Sequence, residues 1–416
     1  MGLGIIPKRS WSGIIAFTAV VAACSTGTPS AGPEPQPAVG PLPGDNYAFV
    51  HQTGATITHH DTRTGVDRPV AQNATEVLAA AASPTGDRVA VAYLSGDSTH
   101  VVVIENESGS VTNVHVGPAP TAYTMAWSFD GDRLGVGFRP RSGRGGIVVL
   151  EANGTVRDMG CQASNQFEAW RSVSQAIVQD GSAFYTVNAA NCSTLATLRK
   201  VGKTEMKYSP NGRRVSFYQD RSVTFANRSQ PQVIPELWIA DYAGNGASVV
   251  ADFQSRPHNS TWAPSAAQIT YEVVSRRWAN TTHLVTYDVR SSDYSYVAEE
   301  KDLGVPNDFG ACWSPDGTRF AHDRTYARST GTQSYTTRQV VVRQGTNEKV
   351  VLDDVVDLPA TQVLANKPAV CQWIGNRHVL IATHRGQRII DVEDGEAYQV
   401  PSEREILGVR VFENGR

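Results

Sequence analysis

A short turn sequence recurs along this chain and constrains its fold more than any other feature. The best copy runs from Trp313 through Ser314-Pro315-Asp316-Gly317 to Ala321. The proline presets φ at the second turn position, the aspartate bonds nearby backbone, and the glycine accepts a positive φ without strain. The copy therefore predicts a β-hairpin with a large aromatic side chain beside its turn.

Degraded copies of this hairpin are spread over most of the chain. The anchor, the residue at the end of the strand before the turn, falls at 82, 127, 170, 208, 262, 313 and 373, with spacings of 45, 43, 38, 54, 51 and 60. The copies at 83–92, 127–136 and 208–217 are clear, and the copy at 170 lacks the glycine. Six anchors are aromatic, and they take up five of the eight tryptophans: Trp127, Trp170, Tyr208, Trp262, Trp313 and Trp373.

A period in the forties with several short strands per unit is typical of a β-propeller. The two ends predict a composite blade, since 47–51 and 55–61 look like middle strands without an anchor strand, and 406–415 looks like an anchor strand without a blade. Pairing the two ends would close the ring and remove exposed sheet edges. We therefore predict an all-β fold, a β-propeller of eight blades closed by that composite blade. Seven blades is the alternative, because the copy at Trp170 is weak.

These turns resemble the TolB-type, WD-like propeller repeat, and the resemblance covers residues 76–412. It is strong at 83–92, 127–138, 208–218 and 313–321. Six blades, the usual number for TolB itself, would require that two of the eight predicted units are not blades. Propellers of this type commonly dock a protein or peptide at one mouth of the central channel, so the resemblance implies a binding platform.

The N-terminus reads as an export and anchoring signal. Residues 1–23 carry Lys8 and Arg9 and then an apolar run that is short for a membrane span, as in a signal peptide. The run ends in Val-Ala-Ala before Cys24, which resembles the bacterial lipobox, in which the cysteine receives fatty-acyl chains such as palmitate. An ordinary secretory signal with a coincidental cysteine is the alternative.

The segment after Cys24 predicts a tether. Residues 24–45 are rich in Pro, Gly, Ser and Thr and cannot form a core, so they are expected to be a flexible spacer before the propeller domain at 46–416. A doubly acylated cysteine suffices for stable anchoring. We expect a lipoprotein on the extracytoplasmic face of a bacterial membrane, monomeric, in the cell envelope.

Four further cysteines suggest disulfides in an exported domain. Cys161 and Cys192 flank the weak copy at Trp170, and Cys312 and Cys371 each lie just before an anchor, at Trp313 and Trp373. We predict the pairs 161–192 and 312–371, with buried free thiols as the alternative. The second pair is less secure, because equivalent strands of adjacent blades can lie too far apart.

Catalytic and metal-binding patterns are weak. His59-His60-Asp61 and His322-Asp323 are the densest groups of possible metal ligands, but neighbouring residues on a strand point to opposite faces, so we predict no metal and no cofactor. The chain has no Gly-x-Ser-x-Gly elbow with room for a hydrolase domain, and no phosphate loop.

Thirty-seven basic and 40 acidic residues leave a net charge of −3, which argues against nucleic acid as a partner. A small basic loop with Arg139, Arg141 and Arg144 is interpreted as a solvated turn.

These patterns favour a membrane-anchored, non-enzymatic platform that binds an envelope protein or peptide. The alternative is an envelope enzyme or solute receptor that acts on a saccharide or peptide at the channel. That alternative would require polar residues from several blades, with shifted pKa values, to converge near the axis.

Overall fold

The computed structural model describes residues 47–84, 86–118, 120–140, 145–161, 166–180, 183–199, 203–224, 230–252, 257–274, 282–297, 307–330, 333–356, 372–383, 386–400 and 405–411. The signal peptide, Cys24, the tether, Cys371, Arg141 and Arg144 lie outside these ranges. No helix in the described ranges is long and apolar enough to cross a membrane.

The chain folds into eight four-stranded antiparallel sheets, which confirms the eight-bladed propeller. The first sheet takes its first three strands from the start of the chain, β1 (Tyr47–Thr53), β2 (Thr56–Asp61) and β3 (Val66–Ala71). Blade 2 contains β4 (Glu76–Ala82), β5 (Arg88–Ser95), β6 (Ser98–Glu105) and β7 (Val111–Pro118). Blade 3 contains β8 (Pro120–Trp127), β9 (Leu134–Pro140), β10 (Gly146–Leu150) and β11 (Val156–Asp158).

Blades 4 to 6 follow in sequence with the same strand order. Blade 4 contains β12 (Gln166–Ser172), β13 (Gln175–Asp180), β14 (Ala183–Asn188) and β15 (Thr194–Arg199). Blade 5 contains β16 (Lys203–Tyr208), β17 (Arg214–Val223), β18 (Gln232–Asp241) and β19 (Ser248–Ala251). Blade 6 contains β20 (Pro257–Trp262), β21 (Gln268–Val274), β22 (Thr282–Asp288) and β23 (Tyr294–Tyr296).

The last two sequential blades complete the ring. Blade 7 contains β24 (Asn307–Trp313), β25 (Phe320–Thr330), β26 (Gln333–Gln344) and β27 (Asn347–Val356). Blade 8 contains β28 (Gln372–Ile374), β29 (His378–Thr383), β30 (Gly386–Asp391) and β31 (Ala397–Gln399). The last strand, β32 (Glu405–Val411), pairs with β1 and forms blade 1 in the order β3-β2-β1-β32, as the composite blade predicts.

The first strand of each blade lies nearest the axis. These inner strands contact one another around the ring, for example β4 with β8 and β28 with β32. The inner strands of blades 2 to 8 end at the anchor or within two residues of it. The turns that follow the anchors therefore all lie on one side of the ring, which we call the turn face. The opposite side, where the second strand of each blade turns into the third, is the hairpin face.

The hydrophobic core lies between blades, in eight clusters that each join two neighbours. The predicted anchors form the repeating link across these interfaces. The indole N–H of Trp127 donates to Ala81 O at 2.9 Å, that of Trp170 to Ala126 O at 3.0 Å, and that of Trp373 to Cys312 O at 3.0 Å. Each acceptor is the residue just before the anchor of the preceding blade, so the anchor joins two blades by contact and by a hydrogen bond.

The turn serine explains why this residue type recurs. Ser314 is fully buried; its Oγ donates to Asp316 Oδ1 at 2.6 Å and accepts from the backbone N–H of Arg319 at 3.0 Å. The arginine then reaches the next blade, where its guanidinium lies 5.6 Å from the ring centroid of Trp373 and donates to Asn376 O. The turn is thus fixed internally and also joins its neighbour.

The predicted disulfide between Cys161 and Cys192 is present, with 5.1 Å between the two Cα atoms. It ties the connection that enters blade 4 to the turn before β15, the blade whose own turn lacks glycine. Cys312 is also disulfide-bonded, and Cys371, the partner that the sequence predicts, lies outside the described residues.

Candidate functional site

One interface of the ring departs from the apolar pattern. Between blades 6 and 7 only Leu284, Val297 and Phe320 are fully buried apolar residues of the cluster. On the second strand of a blade, the position that faces the preceding blade is Val136 in blade 3, Phe217 in blade 5 and Tyr271 in blade 6. In blade 7 this position is His322, which is 1% exposed.

A buried ion network fills the space that apolar side chains occupy elsewhere. Arg324, 3% exposed, donates from Nε to Asp308 Oδ1 at 2.7 Å and from Nη1 to Glu348 Oε2 at 2.8 Å. Arg343 also contacts Glu348, at 3.2 Å, and donates to the carbonyl of Val297 in blade 6. Charges at this depth are tolerated only because each is paired and hydrogen-bonded.

Three buried polar atoms in this interface have no hydrogen-bond partner in the described part of the chain: Asp308 Oδ2, His322 Nε2 and Trp313 Nε1. The indole of Trp313 therefore does not make the hydrogen bond to the preceding blade that the indoles of the other tryptophan anchors make. Burial lowers the pKa of His322, although Asp308 at 3.6 Å acts in the opposite direction. The interface between blades 6 and 7 is thus less fully satisfied than the apolar ones.

The inner strands of blades 5, 6 and 7 share a backbone distortion near this network. Each has a β-bulge whose first residue is left-handed, at Glu205 (φ 48°), Asn259 (φ 49°) and Gly310 (φ 70°). All three are exposed on the strand nearest the axis. A positive φ is unfavourable for Glu and Asn, so the surrounding contacts must hold these bulges in place.

Side chains from the preceding blade hold two of the bulges. The N–H of Gly310 donates to Glu272 Oε1 at 3.0 Å, and the N–H of Ser260 donates to the Tyr218 hydroxyl at 3.0 Å. Glu272 and Tyr218 occupy the same position on the second strands of blades 6 and 5. The corresponding residues in blades 2 and 3 are Ala92 and Gly137, which make no such bond.

Glu272 is the best-connected carboxylate of the site. It is 2% exposed and also bonds His258 Nε2 at 2.9 Å and Asn259 Nδ2 at 3.0 Å. Burial alone would raise its pKa, but these hydrogen bonds hold the pKa below its usual value. In the next interface, burial lowers the pKa of Lys207, whose Nζ donates to Ser260 O at 2.6 Å.

Blades 5 and 7 rise above this polar region on the hairpin face. In blade 7 the pairing of β25 with β26 continues to Thr330↔Gln333, five residues past the last pair with the inner strand, Asn307↔Thr325. In blade 5 it continues to Val223↔Gln232, past Lys203↔Gln219. At 3.3 Å per residue the two hairpins rise about 16 Å and about 13 Å above their inner strands.

Blade 6 lies between the two raised hairpins. Its own second and third strands are described only one pair past the inner strand, at Val274↔Thr282. The raised hairpins of blades 5 and 7 therefore flank blade 6 on the hairpin face, and His258 and Asn259 lie between these two blades on the inner strand of blade 6. We call this region the blade 6 trough.

The other predicted candidates do not converge on a site. His59 Nε2 bonds Asn106 O at 2.9 Å, His60 bonds Asp67 at 2.6 Å, and Asp61 bonds Arg63, so each member of that cluster has a separate partner. His322 and Asp323 point to opposite sides of blade 7. Asp323 pairs with Arg338 at 2.7 Å.

Within the described ranges, no three His, Cys, Asp or Glu side chains are placed to hold a metal ion. Sequence reasoning missed Glu272, His258, Asp308 and Arg324. A titratable side chain at a repeat position that is apolar in the other copies, as at His322, was the available signal.

Comparisons with known proteins do not assign the chain to a family. No protein-family model and no curated protein matches the chain. Structures similar to this one include TolB proteins and other β-propellers.

Three examples give the extent of the similarity. A eukaryotic initiation factor is 14% identical, with a TM-score of 0.49 and coverage of 86% of this chain and 98% of the other. An oligogalacturonate lyase in complex with manganese is 8% identical, with a TM-score of 0.45 and coverage of 85% and 84%. TolB from Acinetobacter baumannii is 13% identical, with a TM-score of 0.34 and coverage of 74% and 66%. The assignment of the fold rests on the sheet topology and not on these similarities.

Proposed function

We propose that this protein is an extracytoplasmic lipoprotein, anchored through Cys24, whose propeller binds a segment of an envelope protein or peptide in the blade 6 trough. The observation that carries the proposal is the pair of raised hairpins on blades 5 and 7, which flank a polar floor. A rigid scaffold that presents a walled groove is suited to binding an extended segment.

The floor of the trough supplies polar groups to such a segment. Asn259 is exposed, and the His258 side chain is 33% exposed while it holds Glu272. The wall formed by blade 5 adds Asp220 and Ser222, two exposed residues on the side of β17 that carries Tyr218 and faces blade 6. Exposed polar groups on fixed backbone can orient a bound chain at little entropic cost.

The experiment is affinity purification from crosslinked native membranes, read by mass spectrometry. Three variants accompany the wild type: Cys24→Ala, a hairpin variant with residues 221–234 replaced by Asn-Gly, and Phe129→Ser on the turn face, where Phe129 is 41% exposed. We expect one stoichiometric partner with the wild type and with Phe129→Ser, a loss with the hairpin variant, and release from the membrane with Cys24→Ala. Recovery of the same partner with the folded hairpin variant would contradict the trough as its site.

A second candidate function has its own supporting observation. Lys207, Glu272 and His258 come from neighbouring blades and converge near the axis, and the pKa values of Lys207 and Glu272 are shifted by burial and by hydrogen bonds, respectively. This pattern favours a receptor or enzyme for a saccharide or peptide at the channel. The test is a calorimetric titration with oligosaccharides and short peptides, in which Glu272→Gln should weaken binding. If titration into the wild type produced no heat of binding, the tested oligosaccharides and peptides would be excluded as ligands.

A further inference from the structure

A second concave site lies on the turn face, away from the blade 6 trough. It is a cleft of about 430 Å³ between the outer halves of blades 5 and 6. Its lining includes Arg213, Arg214, Asp241, Asn245, Tyr287 and Ser292. This volume lies in the range of small-ligand sites and exceeds that of a single inorganic ion.

Among the described residues, Arg214 of this cleft lacks the acidic partner that the equivalent arginines of other repeats have. Arg214 is the arginine that follows the turn serine by five residues. At the same position of other repeats, Arg133 pairs with Glu151 at 2.6 Å, Arg319 with Glu393 at 2.7 Å, and Arg88 contacts Asp132 at 3.8 Å. Within the described part of the chain, the Arg214 guanidinium donates only to the carbonyl of Val289, at 3.4 Å.

Arg213 is exposed, and its guanidinium has no ion pair with any described residue. Its backbone N–H donates to Asn211 Oδ1 at 3.1 Å, so the turn fixes the backbone and leaves the side chain available. Two adjacent guanidinium groups without a carboxylate partner therefore line the same cleft.

The acid in the lining is already used by its own turn. Asp241 Oδ1 accepts from the N–H groups of Ala243 and Asn245 at 2.9 and 2.7 Å, and Oδ2 accepts from Asn245 Nδ2 at 3.2 Å. At the rim, Asp288 accepts from the N–H groups of Arg290 and Ser291, and these bonds, first that from Ser291, keep its pKa low. Neither carboxylate bonds the arginines.

We propose that this cleft binds an oxyanion, a phosphate, sulfate or carboxylate group carried on a larger ligand. The planar guanidinium forks of Arg213 and Arg214 match the geometry of such a group, and charge-assisted bonds of this kind are the strong ones. The same chemistry occurs in the headgroup of an anionic lipid and in a soluble phosphorylated molecule. This proposal is independent of the blade 6 trough.

The test uses the full chain with Cys24→Ala, so that the lipid anchor contributes nothing. One arm titrates inorganic pyrophosphate by calorimetry, and the other measures flotation with equimolar phosphatidylglycerol and phosphatidylcholine vesicles against phosphatidylcholine alone. Arg213→Gln is the main variant, because its side chain has no described partner and its loss should leave the fold intact. Arg213→Gln/Arg214→Gln is the second, and Arg68→Gln, an exposed arginine on β3, is the matched control.

We expect binding in at least one arm, weakened about tenfold or more by Arg213→Gln, further by the double variant, and not by Arg68→Gln. Pyrophosphate binding alone would identify a soluble ligand, and selective flotation would identify a lipid headgroup. Absence of binding in both arms would overturn the proposal. Equal loss in Arg68→Gln, or no loss in Arg213→Gln, would overturn it as well.

Discussion

The interface between blades 3 and 4 and the interface between blades 6 and 7 occupy equivalent places in the ring and are built in opposite ways. In the first, Gly135 and Gly137 let Phe167 pack directly on the sheet, and the indole of Trp170 is bonded to Ala126. In the second, ion pairs replace apolar contacts, and the indole of Trp313 has no partner.

The difference teaches that one repeat can serve two purposes. A close-packed, dry interface contributes stability to the ring. A buried ion network contributes less stability than apolar packing of the same volume, so its presence next to the blade 6 trough fits a region shaped for binding. Function is therefore expected where the repeat departs from its own pattern.

The largest expected effect comes from breaking the ion network. Arg324→Met leaves Asp308, which is fully buried, without its main partner, and should lower the free energy of unfolding by about 3–5 kcal/mol. Urea denaturation measures this. The matched control Glu393→Gln removes an ion pair with Arg319 whose carboxylate is 57% exposed, and should cost about 1 kcal/mol or less. Equal decreases in the free energy of unfolding in the two variants would show that burial does not make the Arg324 network more important than an exposed ion pair.

Overpacking the dry interface should have the next largest effect. A Cβ at Gly135 would lie 2.2 Å from Phe167 Cζ, so Gly135→Ala must displace a fully buried ring and should cost about 1–3 kcal/mol. In the control, Gly146→Ala, the atom nearest the new Cβ is Phe138 Cζ at 3.0 Å, so a shift of a few tenths of an ångström relieves the contact. Thermal unfolding of both variants checks this, and a Gly135→Ala protein as stable as the wild type would refute close packing there.

Paired tryptophan substitutions sharpen the comparison further. Trp170→Phe removes an indole N–H bonded to Ala126 and leaves that carbonyl unpaired, whereas Trp313→Phe removes an N–H without an acceptor. We expect Trp170→Phe to be more destabilising than Trp313→Phe by about 1–2 kcal/mol. If the order of stability by denaturant titration were reversed, the anchors would not act through their hydrogen bonds.

The smallest expected effect is on pH dependence. Because burial lowers the pKa of His322 below its usual 6.5, the unfolded chain binds more protons than the folded one as the pH falls through that value. The free energy of unfolding should therefore decrease below pH 6.5, by at most about 1.4 kcal/mol per pH unit for this group. His322→Phe should flatten the decrease between pH 6.5 and 5. If the pH dependence of the free energy of unfolding were unchanged in His322→Phe, a group other than His322 would be responsible for it.

The turn sequence was sufficient to predict the fold, because each copy carries its own local chemistry. The anchors and the turn residues that follow them act within one hairpin or on the next blade, so their spacing predicted seven units. The strand-like segments at the two ends of the chain predicted the eighth, composite blade. The disulfide between Cys161 and Cys192 was predicted from their positions around the weak copy at Trp170.

The candidate site could not be predicted in the same way. Glu272 matters because it meets the bulge at Gly310 in the next blade, and this pairing depends on the orientation of two sheets that the sequence separates by 38 residues. The left-handed conformation of Asn259 likewise has no sequence signal of its own. His322 was noticed for its type, but its burial and its pairing with Asp308 required the ring.

Site-specific photo-crosslinking in cells tests the central claim most directly. A photoreactive phenylalanine derivative replaces Ser222, on the side of the blade 5 hairpin that faces the trough, or Phe129, on the turn face, and both positions are exposed. The account predicts one discrete crosslinked species from position 222 and none from position 129. A species that forms from position 129 alone, or from neither position in a folded protein, would contradict the blade 6 trough as the binding site.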